Sequence, residues 1–409
     1  MVDQMTAEKR KVLLGVSGSI AAYKSAELAR LLVSRGYEVR VVMTPAAAEF
    51  ITPLTLQSVT GHPVAQSFWE ESSIKGIGHI HLADWADAMV IAPATADTIA
   101  KLAAGFAENS LLAMALATKA PLLVAPAMNV NMYEHPATQE NIAVLRKRGV
   151  SFVDPEEGAL ACGWNGTGRL ADPEEIFHNV RKVVSVQDLA GRRILITTGP
   201  TREPIDPVRF LSNRSSGKMG MALAREAFRR GAHVTLVHGP AQVKVPGAVE
   251  CVPIATAEEM YERVMERMSG DGDLPDIVIM AAAVADFKPA HVVPTKIKKK
   301  GTVTPPPLEL TATQDILLEL GQKRGDGRKP VLVGFAVETG DLEELLAHVR
   351  DKLKRKNADM IVGNLAADAF DLDTNRVWLV DRNGRQDEVA TTFKGRVANR
   401  ILDAVLRLE

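Results

Sequence analysis

Cysteine is scarce, with two in 409 residues. That is too few for a disulfide framework in a chain this long, so a reduced, cytosolic protein is expected. Cys162 and Cys251 then need separate explanations. Charge of one sign is missing too. Forty-nine basic against 50 acidic residues leave a formal net charge of −1. That excludes a global pull toward nucleic acid or an acidic membrane. No apolar run reaches membrane-spanning length, and Met1 to Arg10 is polar where a signal peptide would be apolar. Neither nucleic acid nor membrane is therefore an expected partner. Two nucleotide fingerprints are also absent: no Gly-x-Gly-x-x-Gly follows Val16 or Thr198, and the loop after Thr198 lacks the Walker spacing. No internal repeat stands out; the nearest thing to low complexity is Lys296 to Lys300 with Pro305 to Pro307.

The 46% of hydrophobic residues is ample for packed cores, and the length suggests two or three domains. Lys11–Val16, Val39–Met43, Ala88–Ala92 and Leu122–Ala125 read as near-continuous apolar strands. Helical stretches at 21–34, 98–104, 111–118 and 141–148 alternate with them. That alternation means a parallel sheet covered on both faces. Ligands of such sheets sit beyond the strand C-terminal ends. Gly18 and Ser19, Thr44, Ala94, Thr95 and Asp97, and Asn129 occupy those ends. Small hydroxyl residues and bare N–H groups suit the phosphate of a phosphorylated cofactor held without metal.

An amphipathic helix from Pro173 to Val186 closes the first half, and Gln187 to Arg192 is a short polar connection. Beyond it, Arg193–Thr198 reads as a buried strand and Gly199–Pro204 as a turn. A polar loop with Ser215, Ser216 and Gly217 then leads into a helix expected from about Met221 to Arg230. Strand, loop and helix start in that order make an anion site, to which Arg209, Arg214 and Lys218 add charge. Further strands are expected near 233–237, 249–252, 276–280, 331–335, 360–362 and 376–380, with a last helix at 394–408. Cys251, inside a strand, reads as core packing. Lys352 and Lys356, four apart on a helix, share one face and can meet one triphosphate.

Asp206-Pro207-Val208-Arg209, Ser212-Asn213 and Ser215-Ser216-Gly217-Lys218-Met219-Gly220 resemble the opening of the phosphopantothenate–cysteine ligases. In bacteria that enzyme is commonly fused behind phosphopantothenoylcysteine decarboxylase. Residues 11–173 resemble the flavin-containing cysteine decarboxylases through three motifs. They are Gly78-His79-Ile80-His81-Leu82, Pro126-Ala127-Met128-Asn129-Val130-Asn131-Met132-Tyr133 and Ala161-Cys162-Gly163-Trp164-Asn165-Gly166-Thr167-Gly168-Arg169. Tyr133 departs from the family's usual Trp. The expected fold is α/β in both halves. A flavodoxin-like doubly wound parallel sheet would occupy residues 1–187 and a Rossmann-like α/β domain residues 188–409.

The resemblance implies two reactions of coenzyme A synthesis. The ligase half would activate phosphopantothenate with CTP as an acyl-cytidylate, releasing pyrophosphate, and cysteine would displace CMP. The decarboxylase half would use FMN, since loss of CO2 from an unactivated carbon would leave an unstabilised carbanion; oxidising the thiol first gives the electrons somewhere to go. His79, rather than His81, would be the base, Asn129 the carboxylate holder and Cys162 the acid on a glycine-rich flap. For the ligase, Arg209, Asn213 and Lys296 would be catalytic. Met280, Ala281, Ala282, Asp286, Lys296, Thr313, Gln314, Asp315, Phe335, Lys352 and Lys356 would bind CTP. Lys296 to Lys300 would form a lid over the phosphates. Mg2+ is expected on those phosphates, with protein ligands unassigned. Decarboxylase trimers joined by ligase dimers into a dodecamer are implied as the assembly. Competing readings are a flavin-binding regulatory subunit and an NAD-dependent enzyme with two Rossmann domains.

Overall fold

A computed structural model describes residues 9–67, 78–159, 163–241, 247, 249–269, 274–298, 307–369 and 372–408. Cys162, with Lys299 and Lys300 of the basic run, lies outside them. The chain forms two compact units, Met1–Val186 and Gln187–Glu409.

In the first unit the strands are β1 (Lys11–Val16), β2 (Glu38–Met43), β3 (Val64–Ala65), β4 (Ala88–Ala94), β5 (Leu122–Pro126) and β6 (Ser151–Phe152). They form one parallel sheet in the order β3-β2-β1-β4-β5-β6. Without the two-residue β3, that is the 2-1-3-4-5 order of flavodoxin. Alternation along β1 explains the two layers. Val12, Leu14 and Val16 pack under helices Tyr23–Ser34 and Pro173–Val183, while Leu13 faces helices Ala96–Ala104, Ser110–Ala117 and Pro136–Lys147. An antiparallel hairpin, β7 (Glu156–Ala159) with β8 (Asn165–Arg169), follows the sheet.

The second unit continues with β9 (Arg193–Thr198), β10 (Arg202–Pro204), β11 (Phe210–Ser212), β12 (His233–His238), β13 (Glu250–Pro253) and β14 (Ile277–Met280). Then come β15 (Phe287–Pro289), β16 (Leu310–Ala312), β17 (Val331–Glu338), β18 (Met360–Leu365), β19 (Thr374–Asp381) and β20 (Gln386–Phe393). Its main sheet runs β13-β12-β9-β14-β17-β18-β19-β20, parallel up to β18 and antiparallel beyond. The parallel part repeats the Rossmann order 3-2-1-4-5-6. Two apolar clusters, around Leu236 and Ile279 on one face and Leu195 and Val278 on the other, fill its two sides.

Local readings from sequence need correction: the helix expected at 141–148 spans Pro136–Lys147, and helix Pro53–Thr60 was not anticipated. The helix after the anion loop starts at Lys218, not Met221. Gly220 lies inside it because a Cβ there would sit 2.2 Å from the Thr198 hydroxyl. Strand β20 and helix Ile316–Arg324 were not anticipated. β20 is an edge strand with mostly exposed polar residues, so it lacks an apolar signature.

Candidate functional site

The parallel part of each sheet reverses its strand order once, and ligands of such sheets bind at the reversal. In the first unit the switch lies between β1 and β4. Ser17, fully buried, bridges the two strand ends: its hydroxyl donates to the Pro93 carbonyl at 2.8 Å and accepts the Thr95 N–H at 3.1 Å. The next turns are capped by hydroxyl side chains. Ser19 caps a 3-10 turn by accepting from Ala21 N at 3.2 Å, Thr44 caps Pro45–Ala48, and Thr95 caps helix Ala96–Ala104. Gly18 is required by space, since a Cβ would meet the Ala46 Cβ at 2.5 Å. Asp97 is exposed and pairs with Lys101 at 2.9 Å.

A cleft of about 330 Å³ opens beside Ser19 and reaches Asn129, Lys24 and Arg169. The β7–β8 hairpin seals one wall. Met128 N donates to the Gly168 carbonyl at 2.9 Å, and a Cβ on Gly168 would lie 2.3 Å from the Met128 oxygen. The hairpin is thus fastened to the Asn129 loop through Gly168. Asn129 caps Val130–Glu134, its Oδ1 accepting from Asn131 N at 2.9 Å. Asn109 likewise caps helix Ser110–Ala117. His79 is half-buried on helix Gly78–Trp85, while His81 is exposed. Among the described residues, His79 is not part of the cleft wall.

Lys24 and Arg169 were missed in the sequence. Lys24 Nζ donates to the Leu170 carbonyl at 3.1 Å, and burial followed by the Arg169 charge lowers its pKa. The signal was available: Lys24 sits in phase with Ser25, Leu28, Ala29 and Leu32 on the buried face of its helix. Two cations, capped turns and a glycine with no room for a side chain fit a phosphorylated ring cofactor and an acidic substrate.

In the second unit the switch lies between β9 and β14. Gly217, at φ 71°, starts the helix, and its carbonyl accepts from the Thr198 hydroxyl at 2.8 Å. Lys218 differs from its expected place, reaching Asp373 at 2.7 Å rather than pointing into the loop. The small-residue segment after β14 is held from several sides. Thr197 accepts from Ala282 N at 3.2 Å, Thr201 from Ala285 N at 3.1 Å, and Thr313 donates to the Ala285 carbonyl at 2.6 Å. Asn213 Nδ2 donates to the carbonyls of Ala283 at 3.3 Å and Val284 at 3.0 Å.

Several expected nucleotide residues come together here. Lys352 Nζ donates to the Phe335 carbonyl at 2.8 Å, and Lys356 pairs with Asp315. Burial lowers the pKa of both lysines, opposed by the charge of Asp286. Asp315 also caps helix Ile316–Arg324. Met280 is buried under Thr197, and Gln314 is exposed. Arg209 and Lys296 lie on exposed segments. A lysine pair beside a carboxylate fits a nucleotide triphosphate. Among the described residues, no cluster of three or more His, Cys, Asp or Glu is placed to hold a metal ion.

Two such switch points describe a protein with a flavodoxin-like unit followed by a Rossmann-like unit. Residues 3–185 match the Flavoprotein family model, and residues 189–408 match the DNA/pantothenate metabolism flavoprotein C-terminal domain. The chain is 45% identical to the coenzyme A biosynthesis bifunctional protein CoaBC of Bacillus subtilis, over 98% of this chain and 97% of that protein. It is 43% identical to the Vibrio parahaemolyticus protein of the same name over 96% of each chain. The Haemophilus influenzae protein is 44% identical over 93% of this chain and 94% of its own. The chain belongs to this family of coenzyme A biosynthesis bifunctional proteins.

Proposed function

We propose that the chain catalyses two consecutive steps of coenzyme A synthesis, ligation in the second unit and decarboxylation in the first. It is a bifunctional enzyme, a phosphopantothenate–cysteine ligase and a phosphopantothenoylcysteine decarboxylase. The observation that carries this reading is one switch point per sheet, with capped turns and the buried Lys24 at the first and the Gly217 helix start with Lys352 and Lys356 in the second unit.

In the second unit, Lys352 and Lys356 would meet the CTP phosphates, the Asp286 charge acts on both lysines, and Mg2+ would be carried by the phosphates. The phosphopantothenate carboxylate attacks the α-phosphate, and pyrophosphate leaves. Asn213 holds the acyl carbonyl, and Arg209 and Lys296 neutralise charge as the cysteine amine displaces CMP. In the first unit, the turns capped by Ser19, Thr44 and Thr95 would hold the FMN phosphate. When bound, FMN would take two electrons from the thiol, which makes CO2 loss feasible, and would return them to the enethiol that follows. His79 takes the thiol proton, Asn129 orients the carboxylate without a charge opposing its departure, and Cys162 returns a proton to the enethiolate. A cytoplasmic homo-oligomer, with decarboxylase trimers joined through ligase dimers into a dodecamer, completes the reading.

Purified protein should show an oxidised-flavin absorption band. It should release pyrophosphate only when CTP, phosphopantothenate and Mg2+ are all present. A colourless protein, or pyrophosphate release without phosphopantothenate, would sink the assignment.

A further inference from the structure

Asp206 is a buried acid that the reactions above do not use. Its side chain is 0% exposed. Oδ1 accepts from Val208 N and Arg209 N, each at 2.8 Å. Oδ2 accepts from Ile297 N at 3.2 Å and lies 3.4 Å from Arg209 Nε. Arg209 Nη2 donates in turn to the Ile297 carbonyl. The Asp206–Arg209 pair therefore takes both backbone groups of Ile297, which is 88 residues from Arg209 in sequence. Four residues earlier, Val293 N donates to the Ile205 carbonyl at 3.0 Å. Lys296, exposed, lies between these two anchors. Burial disfavours a charged Asp206, but the N–H donors of Val208, Ile297 and Arg209 outweigh it and hold its carboxyl below the usual carboxylate range.

We propose that Asp206 is a positioning residue of the second-unit site: it locks Arg209 to the backbone beside Lys296, so that two cations from distant segments act on one anionic reactant. This rests on the ligase reading of that unit. The physical argument is entropic. A lysine on an irregular exposed segment samples many positions, and a cation contributes to a transition state only when it is already in place. A tether serving only to hold the chain down would need the Val293 bond alone. Here the guanidinium itself closes the clasp, so its own direction is fixed by the same carboxylate.

The test is Asp206→Asn in the full chain. Asparagine keeps an oxygen for the Val208 and Arg209 N–H groups but puts an NH2 where the Ile297 N–H must be accepted. Amide hydrogen exchange in 293–298 should accelerate at least about tenfold. The ligase kcat should fall about ten- to a hundredfold, with the KM for cysteine nearly unchanged. Should this variant unfold the unit, Ile297→Pro removes the same donor from the exposed segment and should lower kcat likewise. Unchanged exchange in 293–298, or faster exchange with unaltered kcat, would overturn the proposal. A parent protein with no CTP-dependent coupling would fail the ligase reading instead, a result separate from the exchange measurement.

Discussion

Ser17 and Thr95, from loops 78 residues apart, are joined by one buried hydrogen bond of 3.1 Å, with the Thr95 amide donating to the Ser17 hydroxyl. The same hydroxyl donates to Pro93, so one side chain fixes both halves of the first switch point. Ser17→Ala leaves the Thr95 N–H without this acceptor at a partly buried place. The expected cost is about 1–3 kcal/mol. It should appear as a lower unfolding midpoint of the first unit and as flavin lost during gel filtration, while CTP-dependent coupling continues. Full flavin content in the variant would show that Ser17 does not organise the site.

Gly168→Ala tests the seal between hairpin and substrate loop. The new Cβ would lie 2.3 Å from the Met128 oxygen, and a backbone atom cannot rotate away. The hairpin must lift away from the Asn129 loop. Decarboxylation should drop about ten- to a hundredfold with flavin retained. Near-normal CO2 release would mean that the wall is not needed.

How far the sequence reached depended on whether a signal was local. β1 and β9 declare themselves because strands buried on both faces are continuous apolar runs. The family motifs pointed to Asn129, Asn213, Lys352 and Lys356 by position, and the structure adds their partners. Gly220 misled, because a glycine inside a helix looks like a helix boundary when the reason for it is the Thr198 hydroxyl on another element. Asp315 was read as a ligand residue from resemblance, although the position before Ile316 is also a helix cap. The Asp206–Ile297 contact spans 91 residues and has no periodic trace.

Lys352 links function to stability. Burial lowers its pKa from the ordinary value of 10.5, so the folded state prefers the neutral amine more than the unfolded chain does. Below the lowered pKa the charge is carried at a cost. Between the lowered value and 10.5 the unfolded chain binds more protons, and stability rises with pH. Lys352→Met should remove that alkaline rise and leave the second unit at least as stable near pH 7. CTP should bind about ten- to a hundredfold more weakly, the loss of one charge-assisted hydrogen bond. Denaturant titrations at neutral and alkaline pH, with CTP binding alongside, check both. Weaker binding together with marked destabilisation at neutral pH would make Lys352 a structural residue.

Asn213→Asp separates the two activities. Asn213 donates its amide N–H groups to the Ala283 and Val284 carbonyls, in the segment that leads to Asp286. A carboxylate has no N–H to donate, so two attractive contacts become oxygen facing oxygen. The same negative charge would repel the phosphate of an acyl-cytidylate. Losing a hydrogen bond to a neutral carbonyl costs about 0.5–1.5 kcal/mol, and the added repulsion costs more. Coupling of cysteine should therefore fall by at least about tenfold. Asn213 belongs to the Gln187–Glu409 unit, so CO2 release from supplied phosphopantothenoylcysteine should survive. Both assays on one preparation decide the matter. Unaffected coupling would leave Asn213 as a loop fastener alone. A joint loss of both activities would mean that the substitution disturbs folding or assembly, and the assignment of one reaction to each unit would lose its support.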